Sequence, residues 1–419
     1  MLDLVLFLTL AAGLMIGYVI IGYPLLVIAL SKMVRRVRIE STEKPTVSLF
    51  VSCFNEEAVL PQKIDNCLAI DYPRDSLEFI FVSDGSTDDT EELVRARAAD
   101  GIKLVTQERA GKTLGLNKAV PTSNGEILVF SDANAMYKPD AIAKLVENFA
   151  DDKVGYAVGA ALYADVDSSA GASESSYWDY ELKLKIAESE VNSVVGGDGA
   201  IYAIRRELFA PLDAEDINDF VTPLQIIAKG YRGVFDPEAI AFEDAAGTFD
   251  KESRRKRRIV NRSLSGLLKV KACLYPWATG LFSWQVWSHK FLRWLIPYFL
   301  LIFAMGSIVL SIAGHWWFTP VVIGLAVGYW LYLAAELHSD KQRMPTLLSS
   351  VYYFVIVNVS TALGVYDALR GKTQITWSSP RNDNAGQTSA SRLGWHVPFV
   401  GASIAIAAYN GYQLLAQLV

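Results

Sequence analysis

At 419 residues and a net charge of −6, the chain is 52% hydrophobic and 20% charged, too apolar for one soluble globule and too charged for a pure membrane bundle. All four histidines (His289, His315, His338, His396) and nine of the ten tryptophans follow residue 276, which removes Ser-His-Asp, Cys-His and HExxH chemistry from the front two thirds. The three scattered cysteines, Cys53, Cys67 and Cys273, form no disulfide framework or CxxC site and read as small buried side chains in a reducing compartment. The acidic balance gives no footing for nucleic acid.

Residues 4 to 30 carry no charge and exceed the roughly 20 residues that a helix needs to cross a bilayer. The stretch is too long for a signal-peptide core, and no small-residue cleavage site follows it. Lys32, Arg35, Arg36 and Arg38 come next, so the expected topology has the N-terminus outside and residue 31 onward in the cytoplasm.

Residues 45 to 250 alternate strand-like and helix-like stretches, the pattern of an α/β domain with a mainly parallel sheet. Apolar runs at 46–54, 77–84 and 125–134 have strand length, with a helix expected from near Glu56 and another after the capped, acidic segment GSTDDTEEL. Each run ends on carboxylates or amides: Asn55, Glu56 and Glu57; then Asp84, Gly85 and Ser86; then Asp132, Ala133 and Asn134. Open parallel sheets bind ligands at this edge. One acidic strand-end loop is ordinary turn chemistry, but three in succession describe an acid-lined pocket. Such a pocket accepts an anionic ligand when a divalent cation neutralises it, and oxygen donors suit Mg2+ or Mn2+.

AGKT, Ala110 to Thr113, echoes a phosphate loop, but the position that such a loop gives to its first glycine holds Thr106. Gly196-Gly197-Asp198-Gly199 precedes a strand-to-helix pattern, AIYAIRRELF; it is either a plain turn or a place where a ligand approaches the backbone closely. Asn218-Asp219-Phe220 opens a further helical stretch. The run KESRRKRR, 251 to 258, reads as a solvated or headgroup-facing charge face.

Residues 263–290 mix Lys269 and Lys271 with Leu, Trp and Phe, as an interfacial amphipathic helix does. Spans are expected at about 291–313 and 317–337, joined by His315, Trp316 and Trp317, and at about 397–417. Residues 346–369 are long enough to span, yet carry Ser349, Ser350, Asn358, Ser360 and Thr361. They also have basic flanks on both sides: Lys341 and Arg343 before, Arg370, Lys372, Arg381 and Arg392 after. A re-entrant or interfacial helix is the preferred reading there, since polar residues at membrane depth face protein or a wet cavity. The expected organisation is a transmembrane helix at 1–31, a cytoplasmic domain at 32–262, interfacial helices at 263–290 and a membrane region at 291–419.

The strand ending SDGSTDDT, the segment GKTLGLNKAV and VFSDAN together resemble a membrane-integrated family 2 glycosyltransferase of the GT-A fold. The resemblance covers roughly residues 45 to 275 in motif order, and Trp377-Ser-Ser-Pro-Arg381 is similar to a tail motif of such enzymes. It implies that CFNEE (Asn55, Glu56, Glu57) and Asp84 hold the uridine of a UDP-sugar and that Lys112 lies by the nucleotide. Asp132 and Asn134, the latter in place of a second carboxylate, then bind the diphosphate and Mg2+ or Mn2+.

Asp219 is implied as the general base, with Asn218 where the family has its first acid. Arg258 matches the arginine of QxxRW, while Arg255 and Ile259 replace the glutamine and tryptophan. Gly197, Asp198 and Gly199 fall where acceptors bind. The implied reaction is inverting transfer to a lipid-linked or glycan acceptor in cell-envelope or extracellular polysaccharide synthesis, at the cytoplasmic face of a bacterial inner membrane. Trp284, Trp287, Trp294 and the polar residues of 346–369 are candidates to line a polymer path. A processive synthase that exports its polymer stays open, as do a non-catalytic nucleotide-sugar sensor or transporter, a homo-oligomer and an export partner.

Overall fold

The computed structural model describes residues 1–34, 44–163, 169–243, 248–338 and 344–373, with side chains except at 169–179. Arg35, Arg36, Arg38, Lys341, Arg343, the Trp377–Arg381 motif, Arg392 and the expected span at 397–417 lie outside the described residues.

Eight strands form one sheet: β1 (Val47–Cys53), β2 (Leu77–Asp84), β3 (Ile102–Gln107), β4 (Ile127–Asp132), β5 (Met136–Tyr137), β6 (Val154–Tyr163), β7 (Tyr202–Arg205) and β8 (Arg232–Glu243), in the order β3-β2-β1-β4-β7-β6-β8-β5. β1, β2, β3 and β4 run parallel, as do β6 and β8. β7 is antiparallel to its neighbours β4 and β6, and β5 to β8. Every residue of β1 is buried, Ser48 and Ser52 included, because helices cover both faces of the sheet.

Those helices are α2 (Leu60–Leu68), α3 (Thr90–Arg95), α4 (Lys112–Ala119), α5 (Ala141–Glu147), α6 (Ser169–Val191), α7 (Asn218–Ala228) and α8 (Phe249–Lys269). The helix expected from Glu56 starts at Leu60 instead, with Pro61 in its first turn, a position where the missing N–H costs nothing. After β7 only a single turn, Arg206–Leu208, forms in place of the expected helix. α8 runs unbroken through the expected boundary at residue 262 because Val260, Leu264 and Leu267 form one buried stripe on the domain core. Lys269, expected at the lipid interface, turns back to Asp213 and Glu215 at 2.9 and 3.0 Å.

Four further helices, among the described residues, are long and apolar enough to cross a membrane: α1 (Leu2–Ser31), α9 (Leu281–Ile312), α10 (Trp316–Glu336) and α11 (Thr346–Leu369). α1 closes on α9 where a side chain at Gly306 would put its Cβ 1.9 Å from Thr9 Oγ1. The domain is fastened to these two helices through α6. Glu188 accepts hydrogen bonds from the Tyr23 hydroxyl and from His289 Nδ1, the latter at 2.8 Å, and Glu181 meets His289 Nε2 at 2.6 Å and Arg293 at 2.9 Å.

α11 lies along α8 for most of its length. Phe249 meets Tyr352 edge-on at 4.9 Å, Ser253 bonds Ser360 at 2.7 Å, Arg257 pairs with Asp367 at 2.6 Å, and Asn261 donates to the Lys372 carbonyl at 2.7 Å. Two of the charge-run side chains read as solvated are engaged elsewhere on α8: Arg255 and Lys256 face the buried Glu252 at 3.0 and 3.4 Å.

Candidate active site

Strand register gathers the predicted loops. Cys53 at the end of β1 sits beside Ser83, and Ser52 beside Asp132, so the segments after β1, β2 and β4 emerge at one sheet edge. The first two loops interlock. Asn55, at a φ of 52°, accepts from the Thr87 amide at 2.8 Å; Glu57 accepts from the Asp89 amide at 3.1 Å; and the Glu56 amide donates to Thr90 at 2.8 Å.

Asp84 organises the next loop. Its Oδ1 accepts from the amides of Ala110 and Gly111, both at 2.8 Å, and from Gln107 at 2.7 Å, while Oδ2 meets Arg109 at 2.9 Å. The Arg109 guanidinium lies over the Phe54 ring. Asp84 thereby sets the start of α4, whose first residue is Lys112.

Lys112 Nζ donates to Asp132 Oδ1 at 2.5 Å. Burial would lower its pKa, but Asp132 and Asp219 reverse the direction and hold the ammonium above its ordinary value. Asp219 stands in the first turn of α7. Its carboxyl is raised above the usual aspartate value by loss of water; Asp132 and Asp198 push the same way, and Lys112 opposes. Asn218, where an acid was the family pattern, donates to the Tyr202 hydroxyl at 2.7 Å and is buried.

Gly199 is the floor of the site. A Cβ there would lie 3.0 Å from Asp132 Oδ2, 3.2 Å from Asp219 Oδ2 and 3.6 Å from Lys112 Nζ, so three charged groups converge on the space that a side chain would occupy. Gly196 turns the chain at a φ of +88°, and the Gly197 amide donates to the Asp219 carbonyl at 2.5 Å. Asp198 pairs with Lys185 of α6 at 3.0 Å. The structure thus brings Lys112, Asp132, Gly197, Asp198, Gly199 and Asp219 together.

Arg258 joins them electrostatically. Burial, Arg262 and Arg255 bring its pKa down to about 10, while Asp132 and Asp219 pull the other way. One turn on, Arg262 anchors α8 by donating to the carbonyls of Glu215 at 2.9 Å and Ala214 at 3.2 Å.

Sequence reasoning missed two residues at the site. Glu243 ends β8, beside Tyr163 at the end of the parallel strand β6; loss of water, then Asp132 and Asp198, push it up to about 8. Its signal was the one used three times already, an acid closing an apolar run. Lys63, fully buried against the turn after β4, had no such signal, because a lysine in a helix normally faces water.

Among the described residues no group of three or more His, Cys, Asp or Glu side chains is placed to hold a metal ion, so a divalent cation at Asp132 would draw on the donor's own phosphate oxygens and on the amide of Asn134, two residues on. Lys112 takes Oδ1 of Asp132 while Oδ2 faces the glycine floor, and the nearby donors are carboxylate and amide oxygens, which Mg2+ and Mn2+ prefer.

Residues 48–211 match the family model described as Glycosyl transferase family 2. The chain is 28% identical over 166 residues, 38% of its length and 34% of the relative's, to a beta-monoglucosyldiacylglycerol synthase of Nostoc sp. (strain PCC 7120 / SAG 25.82 / UTEX 2576). It is 29% identical over 136 residues, 30% of its length and 32% of the relative's, to a poly-beta-1,6-N-acetyl-D-glucosamine synthase of Staphylococcus aureus (strain COL). These matches span only about a third of each of those relatives. Among solved structures, the mannosyltransferase PcManGT from Pyrobaculum calidifontis, in complex with GDP-Man and Mn2+, superposes with a TM-score of 0.66 at 25% identity, covering 87% of this chain and 99% of that one. The motif order, the sheet and these likenesses agree: residues 48–211 match a family 2 glycosyltransferase domain, set in a sheet of the GT-A fold and joined to helices long and apolar enough to cross a membrane.

Proposed function

We propose that the enzyme moves a sugar from a nucleotide diphosphate donor to a hydroxyl of a membrane-held acceptor, with inversion, one sugar at a time. The observation that carries this reading is the convergence of Asp132, Asp219 and Lys112 on Gly199. Asp219 takes the acceptor proton as the new bond forms, and its raised pKa makes it a stronger base than an ordinary aspartate. Lys112 and Arg258 face the charge that grows on the leaving diphosphate. A divalent cation held by Asp132 and Asn134 supplies Lewis-acid stabilisation of that group when bound. The glycine floor admits the sugar to the backbone.

Single transfer is favoured by what occupies the expected polymer path. Trp284 donates to the Tyr18 hydroxyl at 2.8 Å, Trp287 to the Leu274 carbonyl at 2.9 Å, and Trp294 packs edge-on against Phe220 at 6.0 Å. Ser360 and Asp367 are paired with α8. These side chains knit helices together, and Ile259 stands where processive members carry tryptophan. A lipid-linked acceptor fits a catalytic edge held against membrane helices, and the name of the Nostoc relative agrees with it.

UDP-sugars are the donors that the motifs imply, and the GDP-Man of the solved neighbour makes GDP-mannose the necessary comparison. The test is to incubate the purified full-length chain with Mn2+ or Mg2+, a membrane lipid extract and a panel of UDP- and GDP-sugars, then weigh the products. One added sugar on a lipid is expected; a ladder would establish polymerisation. Asp219→Asn should cut transfer by about 10²- to 10⁴-fold while leaving nucleotide affinity nearly unchanged. Transfer at the wild-type rate by a folded Asp219→Asn protein removes Asp219 as the base.

A further inference from the structure

Lys63 lies on the apolar stripe of α2, in line with Leu60, Ile64 and Cys67, and is completely buried. An ammonium placed there costs free energy unless it is paired, and a methionine would fill the same volume without that cost. Its partners explain the choice. Nζ donates to Ser131 Oγ at 2.8 Å and to the Ala135 carbonyl, and it sits 4.3 Å from the centre of the Tyr137 ring. Ser131 and Ala135 flank the turn that carries Asp132 and Asn134. Ser131 Oγ in turn donates to the Asp132 carbonyl at 2.9 Å, and the Ala135 amide closes on that same carbonyl at 3.2 Å. Beyond the lysine, the Tyr137 hydroxyl donates to the Ala200 carbonyl at 3.0 Å, next to the glycine floor.

We propose that Lys63 is a positioning residue for the cation- and diphosphate-binding turn: its buried ammonium ties both flanks of Asp132–Asn134 together and, through Tyr137, holds that turn in register with Gly199. The proposal rests on the reading of Asp132 and Asn134 as cation ligands. Burial lowers the lysine's pKa, while Cys67, Cys53 and Asp132 oppose the shift; the role rests on the donors that Nζ presents to Ser131 and Ala135. No part of the reaction touches Lys63, so its effect must pass through the turn.

The test uses the full chain in detergent with Lys63→Met and Ser131→Ala. Amide hydrogen exchange without any ligand comes first. Lys63→Met should speed exchange about tenfold across 131–137 and leave the rest of the sheet unchanged. No change in that stretch, or uniform loosening of the domain, overturns the proposal. Mn2+ is then titrated in the presence of GDP or UDP and followed by the electron paramagnetic resonance of the free ion. Lys63→Met should weaken Mn2+ uptake about tenfold, as loss of an outer support does, without altering nucleotide binding in metal-free buffer.

Wild-type Mn2+ affinity in Lys63→Met overturns the positioning role. If that variant does not fold, Ser131→Ala decides, with about threefold weaker uptake expected from one lost hydrogen bond and unchanged uptake counting against the proposal. If the wild-type chain takes up no Mn2+ with either nucleotide, the cation reading falls, and the exchange result still decides whether Lys63 holds the turn.

Discussion

Glu243 shows how position, more than residue type, sets chemistry at this site. Its carboxyl ends β8 beside the charges of Asp132 and Asp198 and is raised from an ordinary value of 4.5 to about 8. A folded-state pKa above the unfolded one means that the folded protein binds the extra proton. The stability tied to that proton is complete below the unfolded value and is lost as pH rises through the folded one. Glu243→Gln keeps the shape and removes the titration. Its melting temperature should therefore exceed that of wild type by more at about pH 9 than at about pH 5, a difference that a thermal scan at the two values measures. At Asp219 Lys112 is the strongest influence after burial and opposes the rise, whereas at Glu243 Arg255 and Lys112 come behind Asp132 and Asp198. Both acids were visible in the sequence as letters, but their electrostatic neighbours come from strands and helices far apart in the chain.

At the scale of elements, α8 connects chemistry to the membrane half. One face of it carries Arg258 toward the site and Arg262 onto the 214–216 loop; another is covered by α11. The seam is tight at Gly364, where a Cβ would lie 2.7 Å from the Arg257 carbonyl and 3.0 Å from Val260 Cβ. Gly364→Leu should cost about 1–3 kcal/mol, the usual penalty for overpacking, and should lower sugar transfer because α8 must shift. Leu363→Ala, at a neighbouring exposed position, should change neither. Thermal unfolding and transfer rate measured together check both expectations. The mixed charge of 251–258 suggested a wet face; its pairing with Glu252 and Asp367 was not legible, because the partner Asp367 is 110 residues away from Arg257.

For the whole molecule, the placement of α11 sets how many of the four long apolar helices cross the bilayer. Length and composition admit α11 as a span, but its packing argues for lying along the interface. From Tyr352 to Asp367 it follows a helix that carries Arg254, Arg255, Lys256, Arg257 and Arg258, and burying α11 at membrane depth would take that charge with it. Its outer side, with Leu347, Phe354, Val359 and Leu363 exposed, suits contact with lipid. An interfacial α11 also resolves the problem of basic residues on both flanks. Cysteines introduced singly at the exposed positions Thr346 and Lys372 should both react with an impermeant thiol reagent from the side of the catalytic domain, and one at Trp316 from the opposite side. Labelling of the 346 and 372 positions from opposite faces would make α11 a span.

The sequence by itself determined the class of this protein. Strand-length apolar runs that stop on acids, a histidine-free front and long uncharged stretches are local patterns, and local patterns are what backbone geometry and water read directly. Residues that the sequence singled out far apart in the chain, Lys112, Asp132, Asp198, Gly199 and Asp219, lie together in the fold. Only the tertiary structure decided what surrounds them. Asp84 orders the 107–111 loop, Asn55 and Glu57 accept from amides of the loop after β2, Glu243 is pushed up to about 8 by burial and its acidic neighbours, and Lys63 is buried behind the turn. Each of these depends on a partner distant in the chain, and the free energy of a buried charge is set by such partners and by the water they exclude.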